Sequence, residues 1–277
     1  MTFGSRLDLA VAQRGRLCAG IDPHASLLRQ WGLEDDVAGL ERFAMTCVEA
    51  LGEACAVVKP QSAFFERHGS RGVAVLERVI AGCRELGALV LLDVKRGDIG
   101  STVQAYADAY LDAASPLAAD AMTASPFLGV GSLDPLVETA TAHDAGVFVL
   151  ALTSNPEGAQ VQHATTASGR SVAAEVLAAL AARNAADDGP GSFGAVVGAT
   201  VELPSDVTSQ TLDIGGPLLV PGIGAQGGTP GDVRRVFGSA VRHVLPASSR
   251  EILRAGPDVP ALRDAARAGA EAFADLV

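Results

Sequence analysis

The 277-residue chain is poor in the groups on which covalent and metal chemistry are commonly built. Its four cysteines, Cys18, Cys47, Cys55 and Cys83, contain no Cys-x-x-Cys pair. They read as buried thiols of a reducing compartment, with the cytoplasm as the default, and not as disulfides. The five histidines, at 24, 68, 143, 163 and 243, are scattered, so no metal site is expected. No run of eighteen uncharged apolar residues occurs, so no membrane span is expected. The opening "MTFGSRLDLAVAQRGR" lacks an apolar core of secretion-signal length. Positive charge is the minority sign, 21 Lys plus Arg against 32 Asp plus Glu, for a formal net charge of -11. That balance argues against nonspecific nucleic-acid binding and against anionic membranes. It leaves room for a small anionic ligand, which a few local cations and backbone amides can hold.

What is present is alternation. Apolar runs at 17–21, 56–60, 89–94, 121–124, 146–150, 194–198, 217–220 and 241–245 read as strands, most of them continuous enough to be buried on both faces. Ala- and Leu-rich stretches with three-four spacing lie between and after them, at 36–51, 72–86, 102–113, 172–182, 206–212, 232–239 and 260–276. Eight such units in about 250 residues have the size and rhythm of an α/β fold of the (β/α)₈ TIM-barrel kind, expected as one domain over 1–277. An open doubly wound sheet fits the same alternation. The strand count favours the barrel, and no Gly-x-Gly-x-x-Gly turn opens the first unit. The longest irregular stretch, 153–170, is expected to be a mobile loop after strand five, and 184–194 a turn.

Barrels keep their chemistry at the C-terminal ends of the strands. Asp22 ends strand one in "GIDPH", Lys59 ends strand two in "VVKPQ", and Asp93 and Lys95 end strand three in "LLDVKRGD". Residues two apart on a strand share a face, so Asp93 and Lys95 can both look inward, with Lys59 on the neighbouring strand. The result is a carboxylate flanked by two ammonium groups. An internal ion-pair network would bury the same charges, but such pairs rarely stabilise more than apolar replacements, and a barrel mouth favours function. Asp98 follows a glycine, beyond the strand. It can turn back into the mouth, cap the helix starting near Thr102, or reach a neighbouring subunit. After strand seven, "GIGAQGG" supplies Gln226, Gly227 and Gly228, whose amides can surround phosphate oxygens, and Arg250 follows strand eight.

Taken in order, "GIDPH", "VVKPQSAFFE", "DVKRGDIGST", "TSNPEG", "VPGIGAQGG" and "SSR" resemble the orotidine 5'-phosphate decarboxylase family, in its longer actinobacterial-type branch, over residues 17 to 253. The resemblance implies a cofactor-free enzyme that converts orotidine 5'-monophosphate to UMP and CO₂ in de novo pyrimidine synthesis. It implies a homodimer in which Asp98, with Thr102 beside it, serves the partner's site. Asp22 and Lys59 would bind the ribose hydroxyls, Ser154 or the adjacent Asn155 the pyrimidine, and Gln226, Arg250 and the amides of Gly227 and Gly228 the phosphate. Lys95 would stabilise charge at C6 and protonate it, with Asp93 and Lys59 ordering the array. Two other classes compete: a metal-dependent phosphosugar barrel enzyme such as a hexulose-phosphate synthase, and a noncatalytic phosphonucleotide-binding protein. The first would need acidic metal ligands. The second would need the phosphate turn but not the charged array.

Overall fold

Apolar runs buried on both faces form parallel strands when each is followed by a helix that carries the chain back to the same edge. In the computed structural model this happens around a complete circle. The strands are β1 (Cys18–Ile21), β2 (Val57–Pro60), β3 (Leu89–Arg96), β4 (Ala121–Ala124), β5 (Gly146–Leu152), β6 (Phe193–Val197), β7 (Leu218–Val220) and β8 (Val244–Ser248). They pair in chain order and close from β8 back to β1. The expected (β/α)₈ barrel is the fold. The structure describes residues 1–276 except 187, 188, 225 and 226.

Strands one to seven lie within two residues of their expected ends. The eighth is displaced toward the C-terminus, because Gly238–His243 winds into a 3₁₀ turn and takes Val241 with it. Arg16 fastens that turn by donating to the carbonyls of Val241 and Val244 at 3.3 and 3.2 Å. The helix expected at 206–212 shrinks to Ser209–Leu212. Asp206 instead accepts the Ser171 amide at 2.7 Å, and Thr208 caps the short helix. Segment 153–170 is not irregular. It holds a 3₁₀ turn at Pro156–Gly158, a helical turn at Ala159–Gln162 and a tight reversal closed by Thr166 N–H to Arg170 C=O at 2.8 Å. The longer helices outside the expected set are Phe3–Arg14 and Asp134–Ala142, and shorter ones form at Ala25–Gln30, Ala63–Glu66 and Arg250–Leu253. No described helix is long and apolar enough to cross a membrane.

Period-two alternation sorts the strand residues into two shells. Val57, Leu91, Ala121, Phe148, Val196, Leu219 and Leu245 form the inner cluster. Val58, Val90, Leu92, Val147, Ala195 and Leu218 join the outer one, which includes the helices. The Phe3–Arg14 helix seals the end where the strands begin. Phe3 meets Phe148 edge-on with ring centroids 5.9 Å apart, and Gly146 leaves space for its ring, since a Cβ there would lie 2.5 Å from it. Arg14 donates to the carbonyls of Gly52, Cys55 and Leu86, and Arg6 pairs with the buried Asp120. The barrel interior is therefore closed at this end by apolar side chains, with the arginine contacts around them. Phe3→Ala is expected to lower the unfolding free energy by about 3–5 kcal/mol, the usual range for a fully buried Phe. Urea titration measures it, and a loss below about 1 kcal/mol would show that the helix is not part of the core.

Candidate active site

The open end is organised by a mismatch between β3 and β4. Leu92 pairs with Met122 and Arg96 with Ala124, so Asp93, Val94 and Lys95 stand opposite Thr123 alone. The bulge would leave backbone donors unpaired, and Thr123 takes two of them. Its hydroxyl oxygen accepts from the amides of Val94 and Lys95 at 3.0 and 2.9 Å, and the hydroxyl donates to Asp93 Oδ1 at 2.8 Å. Lys95 adopts φ = 47°, in the left-handed region. For a side-chain-bearing residue that costs about 1–2 kcal/mol and persists only where the surroundings impose it.

This backbone brings Lys59, Asp93 and Lys95 together. Lys59 Nζ lies 3.1 Å from Asp93 Oδ2, and Lys95 Nζ lies 2.6 Å from Asp93 Oδ1. Lys59 and Asp93 are buried, while the Lys95 side chain is 46% exposed toward the opening. Burial by itself would raise the Asp93 pKa, but Lys59 and Lys95, with hydrogen bonds from Lys95 and Thr123, hold it down at about 2. Burial would likewise lower the Lys59 pKa, but the carboxylates of Asp93 and Asp22 outweigh it, and the net shift is upward. Asp93 therefore stays ionised down to about pH 2, and Lys59 stays protonated past its ordinary range. Such an array can stabilise negative charge beside Lys95 without reorganising, and Lys95 holds transferable protons.

Beside the array lies a cavity of about 300 Å³ lined by Asp22, His24, Lys59, Gly222, Ser249 and Arg250, among others. Asp22 Oδ2 accepts from Ser249 at 2.6 Å, whereas Oδ1 is buried with no donor among the described residues. An orphan acceptor at a cavity wall suits a ligand hydroxyl. Gly20 makes the contact possible, since a Cβ there would lie 2.6 Å from that of Ser249. Arg250 starts the turn of helix after β8, is exposed, and makes no ion pair among the described residues.

Other expected residues sit differently. The amides of Gly227 and Gly228 are turned into their own loop, donating to Gly224 at 2.7 Å and Gly222 at 2.9 Å. Positive φ at Gly222, Gly224 and Gly227 folds the loop on itself, so these amides are not presented as free anion donors. Gln226 lies outside the described residues. Ser154 is exposed, with no side-chain hydrogen bond among the described residues. Asn155 is engaged with Thr153 at 2.7 Å and Glu157 at 3.1 Å, and lines a separate hollow of about 530 Å³ beside Phe127 and Val161. Asp98 is not a helix cap: Ile99 holds that position, and Asp98 accepts only the adjacent Ile99 amide, at 2.8 Å. Thr102 is exposed on the first turn of the Gly100–Tyr110 helix. Thr123 and Ser249 are functional candidates outside the set expected from sequence. Thr123 had a usable signal, as the one polar residue on the inward phase of "AMTA"; Ser249 had none beyond its place before Arg250.

Comparison with known proteins shows the family to which the chain belongs. A model of the "Orotidine 5'-phosphate decarboxylase / HUMPS family" matches residues 15–265. The orotidine 5'-phosphate decarboxylase of Streptomyces coelicolor is 62% identical over 264 residues, covering 95% of this chain and 94% of that one. That of Nocardioides sp. is 65% identical over 261 residues, covering 93% and 94%. Among solved structures, a Streptomyces avermitilis protein provisionally assigned the same activity superposes with a TM-score of 0.94 at 64% identity, covering 98% and 94%. The Leishmania donovani OMP decarboxylase superposes at 0.74 with 30% identity, covering 100% and 98%. The chain therefore belongs to the orotidine 5'-phosphate decarboxylase / HUMPS family.

Proposed function

We propose that this protein decarboxylates orotidine 5'-monophosphate to UMP and CO₂, as a step of pyrimidine synthesis. The observation that carries the reading is the Asp93 carboxylate fixed between two ammonium groups, beside a cavity that ends in Arg250. In the reaction the bond from C6 to the carboxylate breaks, CO₂ leaves, and the electron pair stays on C6 in the ring plane. Lys95 stabilises that pair and delivers a proton to it, giving UMP, and is reprotonated from water. Asp93 and Lys59 hold the ammonium in place. Because the charges are already oriented, little reorganisation opposes the step.

Asp22 takes a ribose hydroxyl through its orphan oxygen, with Lys59 beside it. Arg250 grips the phosphate, assisted by Gln226 and the loop of Gly227 and Gly228 once a ligand draws those amides outward. Ser154, whose hydroxyl is uncommitted, contacts the pyrimidine in preference to Asn155. Asp98 and Thr102 act on the site of a second copy. Ile99, Phe127 and Leu128 support that dimer: they are large apolar side chains 62%, 76% and 54% exposed, on the loops after β3 and β4. Those loops touch, since a Cβ on Gly97 would lie 2.3 Å from the Ser125 carbonyl oxygen. A metal-dependent phosphosugar reaction is less suited. Among the described residues no three His, Cys, Asp or Glu side chains form a metal-holding group, and the central carboxylate already faces two cations.

The direct test is an ultraviolet assay with orotidine 5'-monophosphate in excess chelator, where turnover is expected to persist. Asp93→Asn should lower it about a hundredfold or more, the scale of losing one preorganised charge contact. Near-native turnover in that variant would remove any role for the charge. Arg250→Ala should cost roughly 2–5 kcal/mol in kcat/KM, with part of the loss in kcat. A change in KM alone would leave phosphate recognition standing but not its coupling to the chemical step. Mixing inactive Asp98→Asn with inactive Lys95→Ala should restore roughly a quarter of wild-type activity, from hybrid dimers with one complete site. No recovery would place Asp98 in its own subunit's chemistry or in none.

A further inference from the structure

Arg96 follows Lys95 in the chain but faces the other side of β3, away from the cavity. Its guanidinium donates to Glu66 Oε1 at 2.5 Å and to the Tyr110 hydroxyl at 3.4 Å. It lies over the rings of Tyr106 and Tyr110, 5.6 and 6.0 Å from their centroids, and reaches back to the Val94 carbonyl at 3.4 Å. Glu66 Oε1 also accepts from the buried hydroxyl of Ser62 at 2.5 Å, and the Ser62 amide donates to the Asp93 carbonyl at 3.2 Å. Residues 93 and 96 are thus both tied to the segment after β2, one through the Ser62 amide and the other through Glu66, and those two anchors are linked. Between the ties lie the bulge and the left-handed Lys95.

A solvated arginine would not be built this way. The Arg96 side chain is 28% exposed and its Nε is buried with no acceptor among the described residues, an unmet donor that is retained although it destabilises. The planar fork and two ring faces fix the direction of the group, which a lysine at the same place would not do. Strand pairing resumes at Arg96, whose carbonyl accepts the Ser125 amide at 2.8 Å, so the backbone that leaves the bulge is fixed there too.

We propose that Arg96 is a positioning residue for Lys95: clamped by Glu66, Tyr106 and Tyr110, it holds the left-handed turn that aims the Lys95 ammonium at the reacting carbon. The inference rests on the proposed role of Lys95 as proton donor. Steady-state kinetics with orotidine 5'-monophosphate test it on Arg96→Met, Arg96→Lys, Glu66→Gln and their combination. Arg96→Met is expected to lower kcat about tenfold or more while KM changes less than about threefold, because Asp22 and Arg250 are untouched. Arg96→Lys should recover little of the loss. Glu66→Gln should lower kcat less, and add nothing in the double variant with Arg96→Met, as for two members of one clamp. A crystal structure of Arg96→Met should show Lys95 out of the left-handed region. Wild-type kcat in Arg96→Met, or a loss matched by the unfolded fraction in urea, overturns the proposal. Should Arg96→Met not fold, unchanged kcat in both Glu66→Gln and Tyr110→Phe overturns it instead. If the wild-type protein does not decarboxylate the nucleotide, the functional reading fails, and the Lys95 backbone in the variant crystal still decides whether Arg96 sets it.

Discussion

The structure at the open end depends on one buried carboxylate having enough partners. Asp93 stands on the inward phase of β3, above an interior filled by apolar side chains and closed below by Phe3. An ion taken that far from water is strongly penalised unless charge and hydrogen bonds meet it. Lys59, Lys95 and Thr123 meet it, and each demands something of the backbone. Lys59 has to sit at the end of β2, Thr123 has to face a bulge, and Lys95 has to adopt a backbone that few non-glycine residues use.

Preorganisation of this kind draws its stability from elsewhere in the molecule. Two apolar shells surround the strands, and the charged array occupies only the last layer. The net charge of -11 works against an anionic ligand at long range. At physiological salt, though, charges separated by more than about 8 Å are largely screened. In the proposed complex Lys59, Lys95 and Arg250 would act inside that distance on the bound group, while the acidic surface mostly would not. Local cations therefore decide what the cavity accepts, and the overall acidity bears on solubility.

Much of this was legible in the sequence, for physical reasons that also mark where legibility stops. Strands buried on both faces leave continuous apolar runs, so seven of the eight appear almost in place. The Lys59, Asp93 and Lys95 set stands out because charges are rare inside such runs. The bulge does not, since it is a relation between two strands, and Thr123 gains meaning only when three residues of β3 confront it. The Phe3–Arg14 helix was hidden because its polar residues bind distant carbonyls through Arg14, a contact that no local spacing encodes. Segment 153–170 read as irregular because its Ser, Thr, Asn and Gln side chains bond one another and the backbone, without an apolar period. The same hydrophilic composition describes a loose loop and one folded on itself.

Lys59 joins the two halves of the site. Its ammonium touches Asp93 and, with Asp22, it lines the cavity, so in the proposed complex it would stand between the reacting carbon and the sugar. Both carboxylates raise its pKa, so it remains charged whichever side is considered. A ligand hydroxyl donated to the orphan oxygen of Asp22 would draw on the same carboxylate that Lys59 feels. Ground-state recognition and the charge array are then not separable modules. A hydroxyl bound there would redistribute the partners of Lys59, and Lys59 is one of the three side chains that hold Asp93. In the proposed reaction, energy gained far from C6 would thereby have a physical route to Lys95, through two side chains and without requiring any large movement of the barrel.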